Sequence, residues 1–168
     1  MIQTVVITDT SVLVNFLVLD RVGLLAALKD HQFIVTEHVR AEITAHYFEQ
    51  LQRLEQAFGD QVLTEITVDG FQELKLFSEL SAMGLGIGEC SAIAAAVNRG
   101  HSLAIDDKRA IKKLKNLGHS VHILTTEALV VLLIKEAGLS VSEADAMKRE
   151  WETNHRFRLA FSSFGEIV

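Results

Sequence analysis

Short apolar runs alternate along this chain with longer stretches in which apolar residues return at helical spacing. TVVIT at 4–8 alternates too little for a sheet with one wet face, so it reads as a buried parallel strand, followed by a helix from near Val12. A second helix is expected near 20–29, where Leu24, Leu25 and Leu28 share a face, and QFIVT at 32–36 reads as the next strand. From His38 to about Phe58 the spacing predicts one helix with a broken stripe of Val39, Ile43, Phe48 or Tyr47, Leu51 and Leu54, ended by Gly59. VLTEITV at 62–68 reads as an edge strand and FQELKLFSELSA at 71–82 as an amphipathic helix. After the Gly-dense MGLGIG comes a small-residue helix at about 89–99 with Gly100 as its C-cap. SLAI then reads as a buried strand, DKRAIKKLKNLG as a helix with Ile111, Leu114 and Leu117 left for the core, and SVHIL as a further strand.

Strand and helix in turn, with short connections, give the expected class: α/β, a three-layer α/β/α sandwich around a mostly parallel sheet. Beyond Ile123 the texture changes. TEALVVLLIKEAG and SVSEADAMKREWETN are helical in pattern, and the chain closes on HRFRLAFSSFGEIV. The expectation is one domain over 1–168, with a core at about 1–135 and a helical C-terminal appendage at about 136–168.

Composition narrows the setting. With 168 residues, 49% of them hydrophobic, the chain can bury a substantial core without a staple. Its single cysteine, Cys90, excludes an internal disulfide, no Cys or His group has zinc spacing, and a cytoplasmic setting is expected. The N-terminus lacks the basic lead and cleavage site of a signal peptide, and no apolar run approaches the roughly 20 residues of a membrane span. Proline is absent, so the turns rely on Gly, Asp, Asn and Ser.

The candidate chemistry lies in where the acids fall. Asp9 follows TVVIT, Glu42 sits in HVRAEIT, Glu89 opens the small-residue helix, and Asp106 and Asp107 follow SLAI. In an open parallel sheet the carboxyl ends of the strands share one edge, so such residues converge on one crevice. Converging carboxylates need a counter-charge, and a hard divalent cation such as Mg²⁺ or Mn²⁺ supplies it. The net charge of −6 becomes −1 without these five acids, which leaves a nearly neutral remainder able to carry basic patches.

Each acid also has a plainer reading. Asp9 is a favoured residue for a helix N-cap, and Glu42, at the margin of a buried face with Glu37 and Arg40 nearby, resembles a solvated surface residue. Glu89 is more telling, because it extends from a buried stripe in a first turn whose partial positive charge favours a carboxylate. Gly86 and Gly88 before it let the backbone approach the crevice. One of Asp106 and Asp107 can cap a helix while the other faces a metal. Lys108, Arg109 and Lys112 read either as a solvated basic face or as contacts to a phosphate backbone. Ser11 can serve the helix start or the site, and Thr10 reads as structural. The seven histidines are scattered, and Phe157, Phe161 and Phe164 fit a core or dimer face better than a base-stacking surface.

D-T-S after a first strand, E-I in the third helix, G-I-G-E opening an Ala-rich helix and I-D-D-K-R-A after a late strand together resemble the PIN-domain family over roughly residues 4–135. The last two motifs most resemble prokaryotic PIN nucleases related to VapC-like toxins. The resemblance implies an Mg²⁺- or Mn²⁺-dependent ribonuclease, often a dimeric toxin neutralised by a cognate antitoxin. Carried over by position, Asp9, Glu42, Glu89 and one of Asp106 or Asp107 form an acidic quartet, Asp9, Glu89 and Asp107 being the metal ligands and Ser11 a supporting residue. Glu89 departs from the Asp that many members carry there.

The expected reaction is hydrolysis of an RNA phosphodiester by metal-activated water. The alternative is a catalytically weak PIN-like module that binds RNA or a partner protein. A phosphatase fits less well, since it expects a second Asp two residues after the first and position 11 is Ser. A receiver domain expects its acidic pair near the first strand.

Overall fold

The structure is a computed structural model that describes residues 3–168; Met1 and Ile2, where the expected 1–168 span begins, lie outside the described residues. Among the described residues, five strands form one sheet: β1 (Thr4–Thr8), β2 (His31–Thr36), β3 (Leu63–Ile66), β4 (Ser102–Ala104) and β5 (Ile123–Leu124). Their spatial order is β3-β2-β1-β4-β5 and every pairing is parallel. The chain therefore steps outward from β1 through β2 to β3, then returns to lay β4 on the other side of β1. That reversal creates a crevice beyond the carboxyl ends of β1 and β4, the place where open α/β sheets hold ligands.

In the described residues eight α-helices complete the layers: α1 (Thr10–Val18), α2 (Glu37–His46), α3 (Leu51–Gly59), α4 (Phe71–Ala82), α5 (Ile87–Arg99), α6 (Lys108–Asn116), α7 (Thr126–Glu136) and α8 (Val141–Asn154). Alternate strand residues feed two cores, one on each sheet face. Val6, Phe33, Val35, Ala104 and Leu124 pack with α1, α3, α7 and α8. Ile7, Ile34, Leu103 and Ile105 pack with α4, α5 and α6. Strands buried on both faces carry continuous apolar runs, which is why TVVIT and QFIVT lack period-two polarity.

α5 shows why a helix of small residues was needed: Ala92, Ala94, Ala95 and Ala96 are fully buried, so the helix lies close against its neighbours. It ends at Gly100 in the left-handed region (φ 68°), as expected of a C-cap. Cys90 is buried in the same helix and its thiol donates to the Leu85 carbonyl.

Three expectations are corrected. Residues 22–27 form a 3₁₀ segment rather than an α-helix. The helix expected over 38–58 is broken at Tyr47, and Phe48, assigned to its apolar stripe, is 72% exposed. Leu117, expected in the core beside Ile111 and Leu114, is largely exposed just past the end of α6.

The C-terminal segment packs into the body of the fold. Trp151 is fully buried, meets Phe16 and Phe157 edge-on, and donates its indole N–H to the Asn15 carbonyl at 2.8 Å. Phe164 is buried against Phe161, and its amide is held by Asp145. The phenylalanines at 157, 161 and 164 thus join the core cluster around α1 and α8. Among the described residues, no helix is long and apolar enough to cross a membrane.

Candidate functional site

At the carboxyl ends of β1 and β4 lies a small cavity of about 190 Å³ lined by Asp9, Thr10, Ser11, Glu42, Tyr47, Gly86, Glu89 and Asp107. Four of the five acids singled out in the sequence meet here. Each arrives on a different element: Asp9 between β1 and α1, Glu42 on the second turn of α2, Glu89 in the first turn of α5, and Asp107 just before α6. A larger cavity of about 640 Å³ lies at the amino ends of β1, β2 and β3, lined in part by Lys29, His31, Phe33 and Gln61. It holds no comparable gathering of acids.

Asp9 occupies the N-cap position of α1, yet its side chain caps nothing. One oxygen, Oδ2, accepts from the Ser11 hydroxyl at 3.1 Å. The other, Oδ1, is buried without any partner. Leaving a buried carboxylate oxygen unpaired is costly, and such a group marks a place where a missing partner belongs. Burial pushes the Asp9 carboxyl up to about 6, against the lowering effect of Ser11 and the amides of Thr10 and Ser11, with the nearby charge of Glu42 adding to the rise.

Glu42 is set apart from the other charges on α2. Arg40 turns to Glu55 and Glu65, and Glu37 accepts from the Val68 amide. Glu42 instead faces the crevice and accepts from the Thr10 hydroxyl at 2.9 Å. The reading of Thr10 as purely structural missed this contact, since nothing local links positions 10 and 42.

Glu89 is half-buried, and its Oε1 reaches back to accept from the amide of Gly86, the residue just before the helix, at 3.4 Å. Burial pushes its carboxyl up to about 7, with further upward contributions from its hydrogen bond to Asp107 and the charges of Asp9 and Asp107. Asp107 moves the other way: burial opposes its ionisation, but its hydrogen bonds with Glu89 and the Arg109 and Ala110 amides hold it below the usual carboxylate range. Those two amides are the start of α6, so Asp107 is that helix's N-cap.

Asp106 stands apart from the cavity. Its Oδ1 accepts from the Thr126 amide at 2.8 Å, and its Oδ2 from the Thr126 hydroxyl at 2.6 Å and the Asn15 amide group at 3.4 Å. The two adjacent aspartates therefore divide their work, one fastening α7 to α1 and the other facing the crevice. Lys108, Arg109 and Lys112 are exposed on the first turns of α6, beside Asp107. Lys113 is engaged with the Met83 carbonyl.

These residues suit a hard cation in their chemistry: four carboxylates around one cavity, two with raised pKa values and one with a buried oxygen lacking a partner. Among the described residues, no three His, Cys, Asp or Glu side chains are already spaced as a metal shell.

A family model described as a PIN domain matches residues 5–166, which includes the C-terminal helices as well as the sheet. Among solved structures, the fold is similar to VapBC2 from Rickettsia felis, bound to a DNA fragment from its promoter: TM-score 0.55, 15% identity, covering 73% of this chain and 98% of that one. It is also similar to a PilT N-terminus domain protein from Sulfolobus solfataricus P2, with TM-score 0.50, 17% identity, and 82% and 97% of the two chains covered. No curated protein matches.

Proposed function

The chain belongs to the PIN-domain family, and from that premise we propose that it is a metal-dependent endoribonuclease acting as the toxin of a toxin-antitoxin pair. PIN domains are in general nucleases that use divalent metals. The observation that carries the finer reading is the unpartnered, buried Oδ1 of Asp9 in a cavity shared with Glu42, Glu89 and Asp107.

Asp9, Glu89 and Asp107 would hold Mg²⁺ or Mn²⁺, with Glu42 beside them. When bound, such a cation acidifies water and stabilises charge on a departing oxygen. The chain's own residues supply the rest. Ser11 orients Asp9 through its hydroxyl, and Thr10 does the same for Glu42. Glu89, on the first turn of α5 and facing the same cavity, would orient the attacking water and take its proton. Water oxygen bonds to phosphorus as the bond to the 3′ oxygen breaks, leaving a 5′ phosphate on the product. Lys108, Arg109 and Lys112 extend positive charge from the cavity's α6 side, where the phosphate backbone would run.

The toxin role is in keeping with the likeness to VapBC2, and it implies a cognate antitoxin protein, a homodimer and a cytoplasmic setting. The test is cleavage of a labelled RNA in Mn²⁺ by the wild type and by Asp9→Asn. Loss of cleavage with an unchanged circular dichroism spectrum is expected; cleavage at the wild-type rate would remove Asp9 from the mechanism.

A binding module without turnover is the second reading, for which the exposed Lys108, Arg109 and Lys112 beside the cavity would suffice. Such a module would bind RNA in chelator and release no product on addition of Mn²⁺.

A further inference from the structure

α2 ends at His46, and Tyr47 (φ −129°, ψ 47°) leaves the helical path before a 3₁₀ turn over Phe48–Gln50. The break is tied on both sides: the Tyr47 amide donates to the Ile43 carbonyl, and the Tyr47 carbonyl accepts from the Gln50 amide, each at 2.8 Å. A corner so fastened sets the directions in which its side chains leave the backbone. Here they leave into water, with Tyr47 39% and Phe48 72% exposed. Two consecutive exposed aromatic rings on a fastened corner form an apolar surface that folding leaves uncovered.

The location of this corner gives it meaning. Tyr47 lines the acidic cavity alongside Asp9, Glu89 and Asp107. It also lines a second cavity of about 450 Å³ with His46, Phe48 and His155. Glu42 in turn lines a third cavity, of about 370 Å³, together with His38, His46 and Ile87. The narrow acidic cavity thus shares Tyr47 with one wider cavity and Glu42 with another, and His46 lines both of the wider ones. A nucleotide chain likewise sets its bases next to the phosphate that joins them, so a phosphate in the acidic cavity would bring a base within reach of Tyr47.

We infer that Tyr47 and Phe48 are base-stacking residues that position the unpaired nucleotides next to the scissile phosphate. The inference rests on the nuclease reading of the acidic cavity. Stacking on a protein ring needs a free base face, which a duplex covers with neighbouring pairs, so this corner selects single-stranded over double-stranded RNA. The two residues act on position, not on bond cleavage, and the stacking face is shared by Tyr and Phe but absent from Ala.

The experiment is fluorescence anisotropy of the full chain with a fluorescein-labelled 12-nucleotide RNA of mixed sequence, single-stranded or as a blunt duplex, in Ca²⁺. The wild type is expected to prefer the single strand. Tyr47→Ala with Phe48→Ala should weaken single-strand binding by about tenfold or more and leave duplex binding unchanged, while Tyr47→Phe binds like the wild type. Both rings are exposed, and a thermal melt confirms that the variants fold. Equal single-strand affinity for wild type and the double variant overturns the inference, as does a wild type that binds both forms alike or fails to bind the single strand; a corner built for a protein partner would give one of these results. Cleavage in Mn²⁺ is measured in parallel. If it persists while binding ignores the corner, only this inference falls. If no cleavage occurs but binding still depends on Tyr47, the nuclease reading falls and the stacking role stands.

Discussion

Gly88 lies against the Glu42 carboxylate so closely that a Cβ at position 88 would overlap Glu42 Oε2 and press on Thr10 Oγ1 at 2.9 Å. The glycine at the start of α5 therefore leaves room for a carboxylate delivered from α2. Gly88→Ala should displace Glu42, whose side-chain end is free to swing away, and spare the fold. We expect Mn²⁺-dependent cleavage to fall by about a hundredfold or more, matching Glu42→Gln, with a melting temperature within a few degrees of wild type. Activity near wild type in Gly88→Ala would show that the position of Glu42 is immaterial.

Asp9 and Glu89 titrate unusually high, and the sign of the effect on stability follows. A carboxyl whose folded pKa lies above its unfolded value of about 4 stabilises the fold fully below pH 4 and loses that contribution as pH rises through the folded pKa. For Asp9, raised to about 6, the loss spans roughly pH 4 to 6 and amounts to about 3 kcal/mol; Glu89, raised to about 7, extends the window upward. In chelator, the melting temperature should therefore decline across pH 4 to 7 relative to an Asp9→Asn, Glu89→Gln variant. Parallel pH profiles for the two proteins would refute the assigned shifts.

A divalent cation should reverse that penalty. Adding Mn²⁺ is expected to raise the melting temperature more at pH 8 than at pH 5, because binding at low pH must first displace protons. Calorimetry at pH 6 in buffers of different ionisation enthalpy should show protons released on binding. Asp9→Asn should abolish most of the stabilisation; an undiminished response would place the cation elsewhere.

The neighbouring aspartates should separate cleanly. Asp106→Ala leaves the buried Thr126 without its acceptor and frees Asn15, a loss of about 1–3 kcal/mol, with cleavage retained below the melting transition. Asp107→Ala removes a carboxylate from the cavity and should abolish cleavage, with a helix-cap loss of about 1 kcal/mol. Urea melts and cleavage assays on the pair decide the matter, and the reverse pattern would exchange their roles.

Trp151 links the C-terminal segment to α1, the helix that Asp9 precedes. Trp151→Ala should cost about 3–5 kcal/mol. We propose that the segment after 135 and the sheet unfold as one unit, so this variant should show a single transition shifted down by about 10 °C. A separate early transition with the main one unmoved would mark the tail as independent.

Local chemistry made much of this molecule legible in its sequence. β1 at Thr4–Thr8 and α4 at Phe71–Ala82 have the bounds that apolar spacing predicts, and Gly100 caps α5 as glycine can. These features depend on neighbours along the chain. SVHIL, by contrast, contributes only Ile123 and Leu124 to the edge of the sheet, where the three-residue β4 offers little to pair with. The break at Tyr47 also escapes periodicity, since His38 to Phe58 keeps a roughly helical spacing through the corner.

Within the site, the sequence alone determined which carboxylates stand at the ends of strands and starts of helices, because that placement follows from element order. Where each one points was decided by the tertiary structure. Asp9 declines a cap and keeps a buried oxygen unpaired, Asp106 turns to Thr126, and Glu42 finds Thr10 and the space above Gly88. Those contacts join residues 20 to 46 positions apart once the parallel sheet has formed, and no spacing along the chain encodes the direction of a side chain toward a partner that folding alone supplies.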